Sequence, residues 1–161
     1  MTKNLRALVQ RVLNASVFVR ERKVGSINRG LLIFLGMRKG DIEKDVTYLV
    51  DKILKLRIFD DGDAHFEKSV LDCGVEILVV SQFTLYAGTR KGRRPDFNLA
   101  ASPEDAKSLY ELSVNLLEDT GLNIETGIFR ENMRINSIND GPVTLLLDSA
   151  DRLKPRGDLQ K

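Results

Sequence analysis

Apolar and polar residues alternate loosely from residue 5 to residue 20, with Leu8, Val9 and Val12 followed by Val17, Phe18 and Val19. This rhythm predicts one or two β-strands. A polar run, Arg20 to Lys23, then supplies a hairpin turn, and further strands are expected over Lys23 to Ile27 and Leu31 to Leu35, bounded by Gly30 and Gly36. The period then lengthens. Ile42, Val46, Leu49, Val50, Ile53 and Leu54 recur at three- and four-residue intervals, which predicts an amphipathic helix over about 42 to 56 with Asp41 as its cap. Val75 to Val80 is a nearly continuous apolar run, the mark of a strand buried on both faces. Ser102-Pro103-Glu104-Asp105 predicts a second helix, since serine caps, proline suits the first turn and the acids complement the dipole; it should stop near Gly121. Residues 123 to 129, 132 to 138 and 143 to 148 predict three more strands, the last two separated by a turn at Asn139-Asp140-Gly141-Pro142. The pattern is mixed, with more β than α, and is expected to form one domain over 1 to 149. From Ala150 to Lys161 apolar content falls, and a flexible basic tail is expected.

Composition narrows the chemistry. Hydrophobic residues make up 42% and charged residues 30% of 161, which suits a packed core and argues against global disorder. No apolar run approaches the ~20 residues of a membrane span, and Met1 to Val12 lacks the features of a signal peptide, so a cytoplasmic location is expected. Cys73 is the only cysteine and His65 the only histidine. Cys73 reads as a small hydrophobe, and His65 falls in a turn-like run, Asp60 to His65. A histidine triad, a histidine or multi-cysteine metal site and a cysteine nucleophile are therefore poorly supported; no metal and no cofactor are expected. The net charge is only +2, yet Arg90, Lys91, Arg93 and Arg94 cluster, interrupted only by Gly92. Such a cluster suits RNA phosphates, although a solvated surface loop would have the same composition.

Two segments stand out. Taken singly, Ser81-Gln82-Phe83-Thr84-Leu85 is an ordinary strand end, and Asn139-Asp140-Gly141-Pro142-Val143-Thr144 is an ordinary β-turn. Together they lie about 55 residues apart, flanked by Gln10-Arg11-Val12, by Thr89-Arg90-Lys91-Gly92-Arg93-Arg94-Pro95 and by Gly127-Ile128-Phe129. In that combination they resemble the signature motifs of the D-aminoacyl-tRNA deacylases, and the resemblance covers roughly residues 5 to 149. The chain departs from it at Arg130-Glu131, where small residues are expected after Phe129.

The resemblance implies an α+β fold of largely antiparallel sheets in a barrel-like core with two main helices, paired as a homodimer. It implies hydrolysis of the ester of D-aminoacyl-tRNA, with glycine mischarged on tRNA(Ala) as a further substrate. Ser81, Gln82, Phe83 and Thr84 would form the catalytic segment, with backbone N–H groups near Phe83 and Thr84 and the Gln82 side chain facing the oxyanion. Thr84 would position and not attack, because no base is at hand, and a ribose hydroxyl of the RNA would assist. Gly141 and Pro142, joined by a cis bond, would enter the partner subunit's site and exclude L-side chains with their carbonyl oxygens. Arg11 and Asn139 would support that turn, Arg90, Lys91, Arg93 and Arg94 would hold RNA, and Phe97 or Phe129 could enclose the terminal adenine. The rival reading is a nucleic-acid-binding dimer without catalysis.

Overall fold

The computed structural model describes residues 4 to 155 and is organised around one long strand. β1, Arg6–Val19, pairs antiparallel along one edge with β2, Arg22–Ile27, and β3, Gly30–Gly36; along the other edge it pairs with β8, Arg134–Asp148. β3 continues in parallel to β6, Glu76–Ser81, and β6 in parallel to β7, Ile124–Thr126. Parallel neighbours need long crossovers. Here α1, Glu43–Lys55, the β4–β5 hairpin, Phe59–Asp61 and Ala64–Lys68, and α2, Val70–Cys73, form the first, and α3, Pro103–Glu118, forms the second. β2 swings back against β7, where Gly25 leaves no space for a β-carbon beside the Thr126 carbonyl, so the sheet curls towards a barrel. The α+β architecture with two main helices is therefore present, and its sheet joins antiparallel pairs around β1 to the parallel run β3, β6 and β7.

Alternation along the strands divides the core. Leu31, Ile33 and Leu35 of β3 and Ile77 and Val79 of β6 face α1 and α3, meeting Val46, Leu49, Ile53, Leu109 and Leu117. Leu32, Leu78 and Val80 point into the curl of the sheet, with Val12, Ala15 and Val17. β6 is thus buried on both faces, as its unbroken apolar run predicts. Each fully buried Leu or Ile contributes about 1.5 to 3 kcal/mol relative to exposure.

Three expectations need revision. α1 begins after Ile42 instead of Asp41: Asp45 turns back and accepts the Ile42 N–H at 3.0 Å, while Asp41 accepts the Arg38 N–H at 2.6 Å. The expected strands 132–138 and 143–148 are one strand, β8, because both halves pair with β1 in the same direction. Asn139 to Pro142 is therefore part of a bulge within a strand, not a connection between two. Residues 150 to 153, expected in the tail, are folded: Ser149–Leu153 form a 3-10 turn, and Arg152 pairs at 3.0 Å with the fully buried Asp45. Residues 156 to 161 lie outside the described residues. No helix among the described residues is long and apolar enough to cross a membrane.

Candidate active site

β6 ends at Ser81, where the chain must leave the sheet. The Gln82 N–H donates to the Leu35 carbonyl at 2.7 Å, which holds the exit against β3, and a 3-10 turn, Phe83–Tyr86, follows. Gly36 permits this approach, because a β-carbon there would press on Leu85 and on the Gln82 carbonyl. The far end of the turn is fixed. Buried Tyr86 donates its hydroxyl to the Asn4 carbonyl, Arg6 lies over its ring at 5.0 Å, and Arg6 also reaches the Leu85 carbonyl at 3.3 Å. Phe83 and Thr84 stay exposed. Their N–H groups open the turn, so its own i to i+3 bonds do not use them, and neither donates to another backbone group among the described residues. The Gln82 side-chain amide donates to the Thr84 hydroxyl.

These residues line a cleft of about 600 Å³. Leu35, Met37 and Val80 supply its sheet wall, Ala100, Ala101, Pro103 and Ala106 its helix wall, and Phe129 to Met133 with Ile135 close the third side. The Ala101 N–H donates to the Met37 carbonyl at 3.0 Å, joining two of the walls. Phe83 meets Phe97 edge to face at 4.9 Å, and both rings are partly exposed. Phe129 lies in the cleft wall and packs on Tyr110 at 5.8 Å; the Tyr110 hydroxyl donates to the Val79 carbonyl, and burial pushes this phenol up to about 12.

The basic residues sit on a loop closed by two backbone hydrogen bonds between Gly88 and Asp96, at 2.7 and 3.0 Å. Arg90, Lys91, Arg93 and Arg94 are all exposed, and none forms an ion pair among the described residues. They do not line the cleft.

The second motif lies elsewhere on the same chain. Four residues, Asp140 to Val143, face the single residue Arg11, so the strand bulges outward there. The Gly141–Pro142 peptide is cis, and both residues are exposed. Asn139 spans the base of the bulge, donating through its side-chain amide to the Arg11 carbonyl at 3.0 Å and the Val143 carbonyl at 3.2 Å. Arg11 is 5% exposed. Its guanidinium donates to the Ile58 carbonyl at 2.6 Å and lies 3.8 Å from Asp60 Oδ2; its Nε stands 2.9 Å from Asp140 Oδ2, an ion pair out of line for a hydrogen bond. Arg11 therefore holds the bulge through the Asp140 carboxylate, while Asn139 holds it through the Val143 carbonyl. Neither Gly141 nor Pro142 lines the cleft of its own chain. Arg11 is five residues along β1 from Arg6, which pairs with Gly36 beside the cleft, roughly 17 Å at the rise of a strand.

Sequence reasoning missed Asp60 and Asp140 as partners of Arg11. The Asp60 to His65 turn signal was present, but nothing local tells where that hairpin packs. His65 itself is mostly exposed and lies 3.3 Å from Asp60, whose carboxyl is lowered by the Phe66 N–H it accepts and secondarily by His65 and Arg11. Among the described residues, no group of three or more His, Cys, Asp or Glu side chains gathers where it could hold a metal ion.

Comparison with known proteins places this geometry among relatives. A family model described as D-Tyr-tRNA(Tyr) deacylase matches residues 8 to 148. A D-aminoacyl-tRNA deacylase of Thermotoga petrophila is 53% identical over 146 residues, covering 91% of this chain and 98% of the relative. One of Aquifex aeolicus is 54% identical over 147 residues, covering 91% and 99%. A solved structure described as c-Myc DNA unwinding element binding protein superposes with a TM-score of 0.82 at 42% identity, covering 88% of this chain and 97% of that one. Another, described as a probable eukaryotic D-amino acid tRNA deacylase, has a TM-score of 0.80 at 17% identity, covering 90% and 99%, and shares the fold.

Proposed function

The chain belongs to the D-Tyr-tRNA(Tyr) deacylase family, and from that premise we propose that it hydrolyses the ester joining a D-amino acid to the terminal ribose of tRNA. The observation that carries this reading is the cleft lined by Phe83 and Thr84, whose N–H groups, at the start of a 3-10 turn, have no backbone acceptor among the described residues. Water adds to the ester carbonyl, the carbonyl oxygen becomes an oxyanion, and the N–H groups stabilise it together with the Gln82 amide. The carbon–oxygen bond to the ribose then breaks, and the departing ribose oxygen takes a proton. Thr84 holds Gln82 in place. A neighbouring hydroxyl of the ribose assists the proton transfer, in keeping with the lack of a histidine near the cleft. Phe83, Phe97 and Phe129 offer apolar and aromatic surface to the terminal adenine.

Selection against L-amino acids falls to Gly141 and Pro142. Their bulge is exposed, is fixed at its base by Arg11 and Asn139, and lies far from the cleft of its own chain. A two-fold homodimer resolves this separation, because a self-complementary interface carries each bulge into the other subunit's cleft. Leu13, Ile138 and Leu146 support it: these residues of β1 and β8 are more than half exposed, an apolar surface suited to burial against a second copy. In this arrangement the carbonyls of the bulge meet an L-side chain, while glycine offers nothing to exclude. Glycine mischarged on tRNA(Ala) is then a second substrate, and the enzyme, a single domain over residues 1 to 149, acts on cytoplasmic tRNA.

The test is release of amino acid from D-aminoacyl-tRNA, L-aminoacyl-tRNA and glycyl-tRNA(Ala) by the purified protein. The expected order is rapid turnover of the D-ester and the glycyl ester and none of the L-ester. A second reading, a nucleic-acid-binding dimer without catalysis, is favoured by the basic loop and by the name of the 42% identical structure. Binding of tRNA with no ester cleavage at stoichiometric protein would select it.

A further inference from the structure

Phe129 and Arg130, together with Pro103, belong to two clefts at once. One is the cleft of Phe83 and Thr84, and the other is an adjoining, more open cleft of about 440 Å³ that also takes in Glu104, Lys107 and Ile128. The dividing wall is a tight turn in which the Glu131 N–H donates to the Ile128 carbonyl at 3.2 Å and Arg130 has φ +66°. A turn closed in this way with a positive φ at its third residue ordinarily takes glycine there. Arginine adopts that conformation only at an energetic cost, and such departures gather at functional positions. The side chain is exposed, and Arg130 has no ion-pair partner among the described residues.

From this arrangement we infer that the second cleft binds the nucleotide preceding the terminal adenosine of the tRNA, and that Arg130 holds the phosphodiester between the two. This rests on the hydrolase reading. A strand whose last nucleotide fills the first cleft must continue over the shared wall, where a phosphate comes within reach of the guanidinium. That group makes charge-assisted, forked hydrogen bonds to phosphate oxygens. Lys107, which reaches Glu111 only at 3.7 Å, adds a second cation on the helix side, and Pro103 and Ile128, the latter 38% exposed, give an apolar surface for the base. Glu104 is the one acid lining the second cleft and Glu131 the one acid lining the first; Glu104 repels the phosphate from the α3 side and offers an acceptor to an exocyclic amino group. The ligand is thus a ribonucleotide of the substrate itself.

Two small substrates separate the subsite from the reaction: the D-aminoacyl ester of adenosine, and the same ester on the dinucleotide cytidylyl-adenosine. For the unmodified protein the dinucleotide ester should have kcat/KM roughly tenfold above the adenosine ester, expressed chiefly in KM, as one ionic phosphate contact allows. Arg130→Gly suits the backbone of this turn and should bring the ratio towards one; Arg130→Lys should restore part of it, and Lys107→Ala should lower it less. A structural role for Arg130 would instead change both esters by the same factor. An equal loss on both, or an unchanged ratio, overturns the subsite while leaving the hydrolase reading intact. Failure of the unmodified protein to cleave either ester or D-aminoacyl-tRNA overturns the hydrolase reading and the subsite with it.

Discussion

Thr84 holds the only hydroxyl on the exposed start of the 3-10 turn, and that hydroxyl accepts a hydrogen bond from the Gln82 amide. A threonine nucleophile needs a base to take its proton. The one histidine lies on the β4–β5 hairpin, and no lysine lines the cleft. Thr84→Ala should therefore retain activity within about tenfold of the parent, as loss of a positioning contact allows; single-turnover deacylation checks this, and a trapped acyl-threonine would refute it. Asp41 makes a different prediction. Burial pushes its carboxyl up to about 6, with nearby Asp45 adding to the effect, so the folded chain binds this proton more tightly than the unfolded chain, whose value is near 3.8. Between those values the folded state carries more protons, and stability falls as pH rises through them. Because Asp41 is only partly buried, the change is on the order of 1 to 2 kcal/mol after solvent screening. Asp41→Asn keeps an acceptor for the Arg38 N–H and lacks the titration. Its advantage over the parent in urea unfolding should grow from pH 4 to pH 6 and then level off; a constant difference across that range would exclude the coupling.

The loop between Gly88 and Asp96 shows what an element adds to its residues. Its two closing hydrogen bonds hold the loop ends together and leave four cations exposed beside the aromatic edge formed by Phe83 and Phe97. Each cation that meets a phosphate releases counterions, so Arg93→Ala with Arg94→Ala should weaken tRNA binding across sequences and lower the slope of log K against log salt by about two. An unchanged slope in binding titrations from low to moderate salt would show that the loop meets no phosphate. Elements were legible in the sequence where their signals were local. The Ser102 cap, Pro103 and the acids of the first turn placed α3, and Ser102 does accept the Asp105 N–H at 3.1 Å. The apolar run of β6 placed a doubly buried strand. β8 was read as two strands because Asn139 to Pro142 has the composition of a turn, and only pairing of both halves with β1 turns it into a bulge. β4 and β5 are too short and polar to show a period, and α2, one turn capped by Ser69 and Asp72, is too short for an apolar stripe. The same limit applies to the site. Ser81 to Thr84 could be read from the chain, whereas the hold of Asp60 and Asp140 on Arg11 depends on elements 49 and 129 residues away in sequence.

At the scale of the whole molecule, the separation of the bulge from its own cleft decides what a second copy must contribute. A β-carbon at Gly141 would meet nothing nearer than the Asn139 side chain at 4.0 Å, so Gly141→Val should leave each protomer folded, with an unfolding midpoint close to that of the parent. In the proposed dimer the added methyl groups instead enter the partner's cleft, where the amino acid must fit, and D-aminoacyl-tRNA turnover should fall far more than tRNA affinity. The phosphate contacts proposed for the basic loop would persist. A second variant, Gln82→Ala with Thr84→Ala, damages the cleft and leaves the bulge intact. If each active site joins the cleft of one subunit to the bulge of the other, a mixed dimer has one site with both defects and one with neither. Random exchange at equal concentrations makes half the dimers mixed, so about one quarter of all sites become intact and the mixture should recover about that fraction of parental activity. If each protomer used its own bulge, every site in the mixture would keep one defect and nothing would be recovered. Subunit exchange can be followed independently by mass spectrometry of differently tagged chains. Confirmed exchange without recovered activity would exclude the cross-subunit site, and a Gly141→Val protein that hydrolyses and discriminates normally would remove the bulge from the chiral filter altogether.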